Sequence, residues 1–470
     1  MMQPTRRTAI KVGAAVATAG GLGLLAELLK EPVEMAASDV VLPVSPPTKP
    51  SWSSWSGINR CRPSALRNPR DENEIVEMVR NSSASLRCVG AGHSFTALVP
   101  TDGTLISLDR VSGIIDSQGT SVRLKGGTRL AQLERELDAR GLALHNQADI
   151  DAQSFAGAIS TATHGTGRQL QALHAKVQAL RLVTPAGETV ECSMTNQPEL
   201  FHAAQVSLGS LGVITEATIE AVPAYRLHRQ VWLKPIEEML ASAHDLAQQH
   251  RHFEFFYLPF TGYAAAVTHD IDPGNDVLRP ESADENMLRN LRQLRDWSGR
   301  FPQLRRWLAQ KLIDPGQREE ARDSSWKLLS TSRPTKFNET ECHVPQEHGV
   351  ACAREVIAVL ERHNDAYFPL EFRFVKADDA WLSPFHQRDS CSIAVHAAGG
   401  ESYRYFAEDI EPIFRKYQGR PHWGKLHTRR AEDFAALYPK WNDFLEIRRQ
   451  LDPKGRMLNA HLRQVFGVTT

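Results

Sequence analysis

Residues 87–103, RCVGAGHSFTALVPTDG, set a titratable imidazole, His93, inside a glycine-paired turn. Turns of this kind let bare backbone N–H groups approach a phosphate, and glycine removes the side chains that would block it. Gly90, Ala91, Gly92 and Ser94 would supply that backbone here. The two glycines begin a G-x-G-x-x-G, and Asp109 lies where a ribose-binding acid is expected, but Phe95 replaces the third glycine. Pro100 and Gly103 carry a loop onward to a strand, so no helix opens behind the turn and the Rossmann reading fails. On the residues alone, His93 is either a turn histidine bonded to backbone or a group with chemistry to do.

Two further segments share this character. QSFAGAISTATHGTG (153–167) is small, hydroxyl-rich and glycine-spaced, with Ser154, Gly157, Thr161, Gly165 and Gly167 around a second histidine, His164. SLGSLGVIT (207–215) places Gly212 and Ile214 at the start of a strand-like run. Either could be a tightly packed junction. Three such segments in one region point instead to a long, phosphate-bearing ligand lying across it.

A different pattern occurs in FPLEFRFV (368–375). Leu370, Phe372 and Phe374 alternate with Glu371 and Arg373, so a strand here has one apolar and one charged face. The charged pair is either a solvated ion pair or a polar floor facing a ligand. CSIAVHAA (391–398) reads as a neighbouring strand with His396 at its inner end.

Elements must hold these residues in place. Carboxylates in NPRDENEIVEMVR (68–80), ahead of Ile75, Val76 and Val79, mark a helix start. LRCV (86–89) and TLISLD (104–109) read as strands, IIDSQGTSVRLKGG as hairpin-like, and Leu130, Leu133 and Leu137 as a helical stripe ending at Gly141. VQALRLVTPAGETVEC (177–192) is strand, turn and strand, and VITEATIEAV (213–222) a closing strand. The result is an α+β domain of about 170 residues, an ordinary size.

The chain has 470 residues, 41% of them hydrophobic, and 55 basic against 55 acidic side chains. That length allows two substantial cores, and the balanced charge gives no field for nucleic acid. The six cysteines lack metal-ligand spacing and imply no disulfide framework, although one or two bridges would be possible in an oxidising compartment. TRRTAIK (5–11) before VGAAVATAGGLGLLA (12–26) resembles a twin-arginine export signal, with EMAAS (34–38) as a candidate cleavage region and a proline linker after it. Export of this kind carries folded proteins outward and gives a periplasmic or extracytoplasmic location. The stretch 288–311 is strongly basic with leucines at helical spacing, and reads as solvated helices or as a weak contact for an anionic membrane surface.

Taken in order, VGAGHSF, SFAGAISTATHGTG, GSLGVIT and HWGK (422–425) resemble the aldonolactone oxidoreductase branch of the vanillyl-alcohol-oxidase flavoprotein superfamily, which includes L-gulono- and D-arabinono-1,4-lactone oxidases and alditol oxidases. The resemblance implies an α+β, two-domain PCMH-type FAD-binding fold whose substrate cap carries a mixed or antiparallel sheet. It divides the chain into a signal segment (1–37), a linker (38–54), an FAD-binding domain (55–224), a cap (225–420) and a C-terminal segment returning to the flavin (421–470). It implies FAD bound covalently through His93, Ser154 near the substrate and the 157–167 run against the flavin. Glu371 and Arg373 would hold substrate hydroxyls, His396 would accept a proton and Lys425 would stabilise charge near flavin N1. No metal is needed. The expected substrate is a sugar lactone or polyol, with oxygen or a respiratory carrier as electron acceptor. The alternatives are a dehydrogenase of another sugar-like alcohol that does not use oxygen, and a non-catalytic carbohydrate-binding flavoprotein.

Overall fold

The alternation in FPLEFRFV governs the larger of two sheet systems in the computed structural model, which describes residues 50–280, 284–330 and 334–469. The export-signal region lies outside the described residues. Eight strands pair antiparallel in the order Arg318–Ser324, Arg226–Pro235, Tyr263–Ile271, His252–Leu258, Leu370–Val375, Ser390–Ala398, Phe337–Pro345 and Arg420–Pro421. Directly opposed residues share a face. Arg373 stands opposite Ser392, and Ser392 opposite His343; Glu371 stands opposite Ala394, and Ala394 opposite Glu341; His396 stands opposite Glu339. One face is therefore a polar floor.

The other face carries Leu370, Phe372, Phe374, Ile393, Val395 and Val344, packed in one core with buried residues of the helices Ile236–Gln249 and Gly349–Leu360. Phe255 and Phe372 stack there at 4.7 Å. Each such ring contributes about 1.5–3 kcal/mol by leaving water. All six residues of Leu370–Val375 are buried, Glu371 and Arg373 included, which rules out a solvated charged face.

The first half builds a five-stranded antiparallel sheet, in the order Thr189–Ser193, Val177–Val183, Val213–Glu220, Ser121–Lys125, Ile114–Gln118. Beside it the strands Ala65–Arg67, Thr104–Ser107 and Leu86–Val89 form a small parallel sheet. The helix Glu72–Asn81 starts where Asp71 accepts from the Glu74 N–H, and it buries Ile75 and Val79. The helix Leu130–Asp138 buries the expected leucine stripe. After the edge strand Arg420–Pro421 the chain returns to this half, where Trp423, Phe434, Trp441 and Phe466 join the core of Phe155, Phe201 and Ile214.

Residues 49–470 form one compact unit, because the two sheet systems are stitched together. The Gly167 N–H donates to the Phe374 carbonyl at 2.8 Å, and the buried His174 ring meets Asp378 at 2.8 Å. All six cysteines are free thiols, so no bridge supplements these contacts. The basic stretch forms two helices, Asp284–Ser298 and Pro302–Leu312.

Candidate active site

The three backbone-exposing segments meet at one groove. Gly90, Ala91, Gly92, His93 and Ser94 line it from the turn after Leu86–Val89. Ser154, Gly157 and Thr161 line it from around the helix Phe155–Ser160, and Gly212 and Ile214 from the start of Val213–Glu220. It encloses about 930 Å³, part of it open to solvent. Its walls allow close backbone approach: a Cβ on Gly90 would fall 2.1 Å from Ser154 Oγ, and one on Gly212 would fall 2.4 Å from the Val183 carbonyl oxygen. Gly92 and Gly212 also hold φ angles of +70° and +146°, which residues with a side chain rarely adopt. These glycines let the walls pack closely on neighbouring protein, and a groove lined by backbone and small side chains fits FAD.

Arg87, from the strand LRCV, braces the groove from beneath. It donates to the carbonyls of Leu98 (2.8 Å), Leu208 (2.9 Å), Gly209 (3.0 Å) and Met457 (2.7 Å), tying the walls to the C-terminal segment. Burial pushes its pKa down to about 10, so it remains cationic at neutral pH.

His93 stacks on Trp55 with ring centroids 5.1 Å apart. Burial, with Lys425 and Arg129 nearby, pushes the imidazole down to about 4, which leaves it neutral at pH 7. Lys425 comes close because its loop is sewn to the His93 turn. The Phe95 N–H donates to the Gly424 carbonyl at 2.6 Å, and Thr96 Oγ1 donates to the Trp423 carbonyl at 2.7 Å. The Lys425 ammonium contacts the Glu339 carboxylate and lies 5.2 Å from the centroid of the Phe95 ring.

The polar floor is a buried charge cluster around Arg373. Its guanidinium meets Asp149 at 2.8 Å, Glu341 at 2.6 Å and Glu371 at 3.4 Å. Glu341 also contacts Ser392 Oγ, and its Oε1 lies 3.1 Å from His164 Nε2. Burial alone would raise Glu341, but Arg373 and His164 outweigh it and hold its carboxylate well below the usual range. Glu371 goes the other way. Burial, with Asp149, Glu254 and Glu341 as neighbours, lifts it well above the usual range against the pull of Arg373. The geometry agrees, since Glu371 has the longest contact to Arg373 and its Oε1 is buried without a hydrogen-bond partner. Of the carboxyl groups around Arg373, Glu371 is thus the one that burial and its acidic neighbours push toward the acid form, which can donate as well as accept.

His396 Nδ1 lies 3.1 Å from the Pro369 carbonyl, which can only accept, so Nδ1 carries a proton, and Nε2 faces Glu339 Oε1 at 3.7 Å. His164, Gly165 and Gly167 stand outside the groove lining, although their spacing matches the residues inside it. His164 is buried against Glu341, and its Nδ1 faces the Gly165 carbonyl at 2.8 Å. Gly165 permits contact with Gln147, whose carbonyl oxygen a Cβ would meet at 2.0 Å, and Gly167 bonds to the cap strand. His164 and Gly167 join the halves of the molecule, whereas Gly165 packs within the first half. His164, Glu341 and His343, and separately Glu339, Glu371 and His396, bring potential ligand atoms within 4.8 Å of one another. Arg373 and Lys425 already supply the positive charge that Glu341 and Glu339 face.

Sequence reasoning missed Glu339, Glu341, Asp149 and Trp55. A signal for the first two exists in FNETECHVP, where Glu339, Glu341 and His343 alternate like Glu371 and Arg373. Asp149 and Trp55 carry no local signal. If Arg373 compensates the cluster, Arg373→Met takes the guanidinium from the buried Glu341 and destabilises by about 3–5 kcal/mol. Urea unfolding checks this, with Arg373→Lys expected to lose less. A methionine variant as stable as wild type would mean that the cluster is neutralised by other means.

Comparison with known proteins accords with this geometry. The D-arabinono-1,4-lactone oxidase family matches residues 217–465, and an FAD-binding-domain family matches residues 63–193. L-gulono-1,4-lactone dehydrogenase of Mycobacterium tuberculosis is 35% identical over 430 residues, covering 89% of this chain and 99% of the relative. L-gulonolactone oxidase of Scyliorhinus torazame is 31% identical over 438 residues, covering 88% and 98%. A solved solvent-stable cholesterol oxidase superposes with a TM-score of 0.73 at 17% identity, over 89% of this chain and 98% of its own, which shows a shared fold. The chain belongs to the D-arabinono-1,4-lactone oxidase family, FAD-dependent oxidoreductases that act on CH–OH donors.

Proposed function

We propose that this protein oxidises a CH–OH group of a sugar-derived 1,4-lactone or an alditol. In this reading 55–224 is the flavin-binding domain, 225–420 the cap and 421–470 the segment that returns to the site. The observation that carries it is the stitching of the HWGK loop onto the GHSF turn, which brings a neutral His93 and the cationic end of the polar floor together. FAD, when bound, supplies the hydride acceptor. The chain's residues do the rest. Arg373 and Glu371, the latter pushed toward its acid form, grip substrate hydroxyls, His396 Nε2 accepts the hydroxyl proton and the Lys425 ammonium stabilises developing negative charge.

The test is to mix the protein under argon with L-gulono-1,4-lactone, D-arabinono-1,4-lactone and alditols and follow flavin bleaching. Admitting air, or a quinone, then identifies the acceptor as oxygen or a respiratory carrier. No bleaching by any of these substrates defeats the reading. In the same assay Glu371→Gln should stay within about threefold of wild type near neutral pH, whereas Glu371→Leu should lose about tenfold or more. Because burial raises the folded-state pKa of Glu371, its acid form is present below that raised value and lost as pH rises through it. The alkaline fall in rate should therefore be absent from Glu371→Gln. Equal losses in the two variants would mean that charge at Glu371 is used after all.

The same reading makes His93 the covalent attachment point. Its neutral imidazole is the form that can act as a nucleophile. Acid-precipitated wild type should stay yellow, and His93→Ala should release all its flavin. Free flavin in the wild-type supernatant would refute the tether.

We also infer export of the folded protein through a twin-arginine route, supported by TRRTAIK ahead of the apolar run. Changing Arg6 and Arg7 to lysine should hold flavin-loaded protein in the cytoplasm. Unchanged export of that variant would point to another route.

A further inference from the structure

We propose that the helices Asp284–Ser298 and Pro302–Leu312 form a docking surface for an anionic lipid bilayer. All the exposed aromatic side chains among the described residues fall here: Trp297 (65% exposed), Phe301 (64%) and Trp307 (57%). Exposed Leu304 joins them, and from the cap of the second helix Phe301, Leu304, Trp307 and Lys311 follow one another at three- and four-residue steps along one face. Scattered exposed apolar residues are ordinary, but exposed aromatic residues concentrated within eleven residues of chain, 297–307, mark an interaction site.

The patch is not a core left open. Leu291 and Leu294 fill the inner face of the first helix, and the buried Arg305 donates to the carbonyls of Asn364 and Ala366 at 2.6 Å each. The helices are thus fixed on the cap with their aromatic side outward.

Charge selects the partner. Residues 284–312 contain seven Arg and Lys against three Asp and Glu; Arg305 is buried and Arg295 and Arg306 pair with Glu401 and Glu361, while exposed Arg300 and Lys311 carry no ion pair among the described residues. Indole and phenyl rings favour the boundary between headgroups and acyl chains, and neighbouring cations pair with lipid phosphates. A second copy of the same face would meet these cations with its own, which disfavours self-association. No described helix is long and apolar enough to cross a membrane, so the contact is interfacial. Leu291 packs in one cluster with Phe95 and Phe337, beside Trp55 and His93, so the surface adjoins the redox site.

The test is sedimentation of the full, flavin-loaded chain with phosphatidylglycerol–phosphatidylethanolamine vesicles and with phosphatidylcholine vesicles. Residues 12–26 are apolar too, so wild type is compared with variants of the same chain. Wild type should bind the anionic vesicles selectively and lose binding in high salt. Trp297→Ser/Phe301→Ser/Trp307→Ser should bind about tenfold or more weakly. Arg300→Glu/Lys311→Glu tests the charge separately and should also bind more weakly. Flavin content should be unchanged in both. The proposal is overturned if wild type does not bind anionic vesicles or if both variants bind as wild type does. It is equally overturned if the aromatic variant abolishes only a wild-type dimer.

Discussion

The interaction on which the rest depends is the sharing of one buried guanidinium, that of Arg373, among three carboxyl groups, two of them buried and that of Asp149 partly exposed. Asp149 belongs to the first half of the chain and Glu341 and Glu371 to the cap sheet, so the electrostatic centre of the site is also a joint between the two halves. A buried carboxylate without compensation is expensive, and one cation cannot fully compensate three. Arg373 and His164 hold Glu341 toward its carboxylate, while burial and acidic neighbours push Glu371, farthest from the guanidinium, toward its acid form. A site that must grip neutral hydroxyls gains from this, because it then offers a charged donor, a neutral donor and acceptors within one small area.

The flavin groove follows the opposite strategy. Its walls are backbone, kept bare by glycine, and its one prominent cation, Arg87, spends its donors on carbonyl groups of the walls. That arrangement sets the groove's shape before any ligand enters. The charge cluster and the groove come together where the GHSF turn and the HWGK loop share backbone hydrogen bonds. Lys425 thereby belongs to both: it faces Glu339 at the edge of the floor and adds to the burial that depresses the His93 imidazole.

Placing the floor in the middle of an eight-stranded sheet gives it rigidity. Leu370–Val375 has a paired strand on each side, and its apolar face is packed against helices, so the backbone under Glu371 and Arg373 has little freedom. The helices at 284–312 have the reverse character. Their inner residues are anchored, while their outer aromatic and basic side chains contribute nothing to the core.

The sequence by itself determined everything that depends on spacing or on the absence of a side chain. Gly90, Gly92 and Gly212 marked the walls, the Leu130 stripe marked a helix, and the two-residue period placed Glu371 and Arg373 on one face. Only the tertiary structure decided what lies against that face. Strand periodicity states which residues point together, not whether water or protein covers them, and here the partners come from Asp149 and Glu341, far away along the chain. For the same reason the glycine run at 157–167 divided, with Gly157 lining the groove and Gly165 and Gly167 meeting protein backbone. A glycine announces that something approaches closely, and the fold determines what. The upward shift of Glu371 is the extreme case, since it depends on burial and on how several carboxyl groups divide one guanidinium inside the assembled molecule.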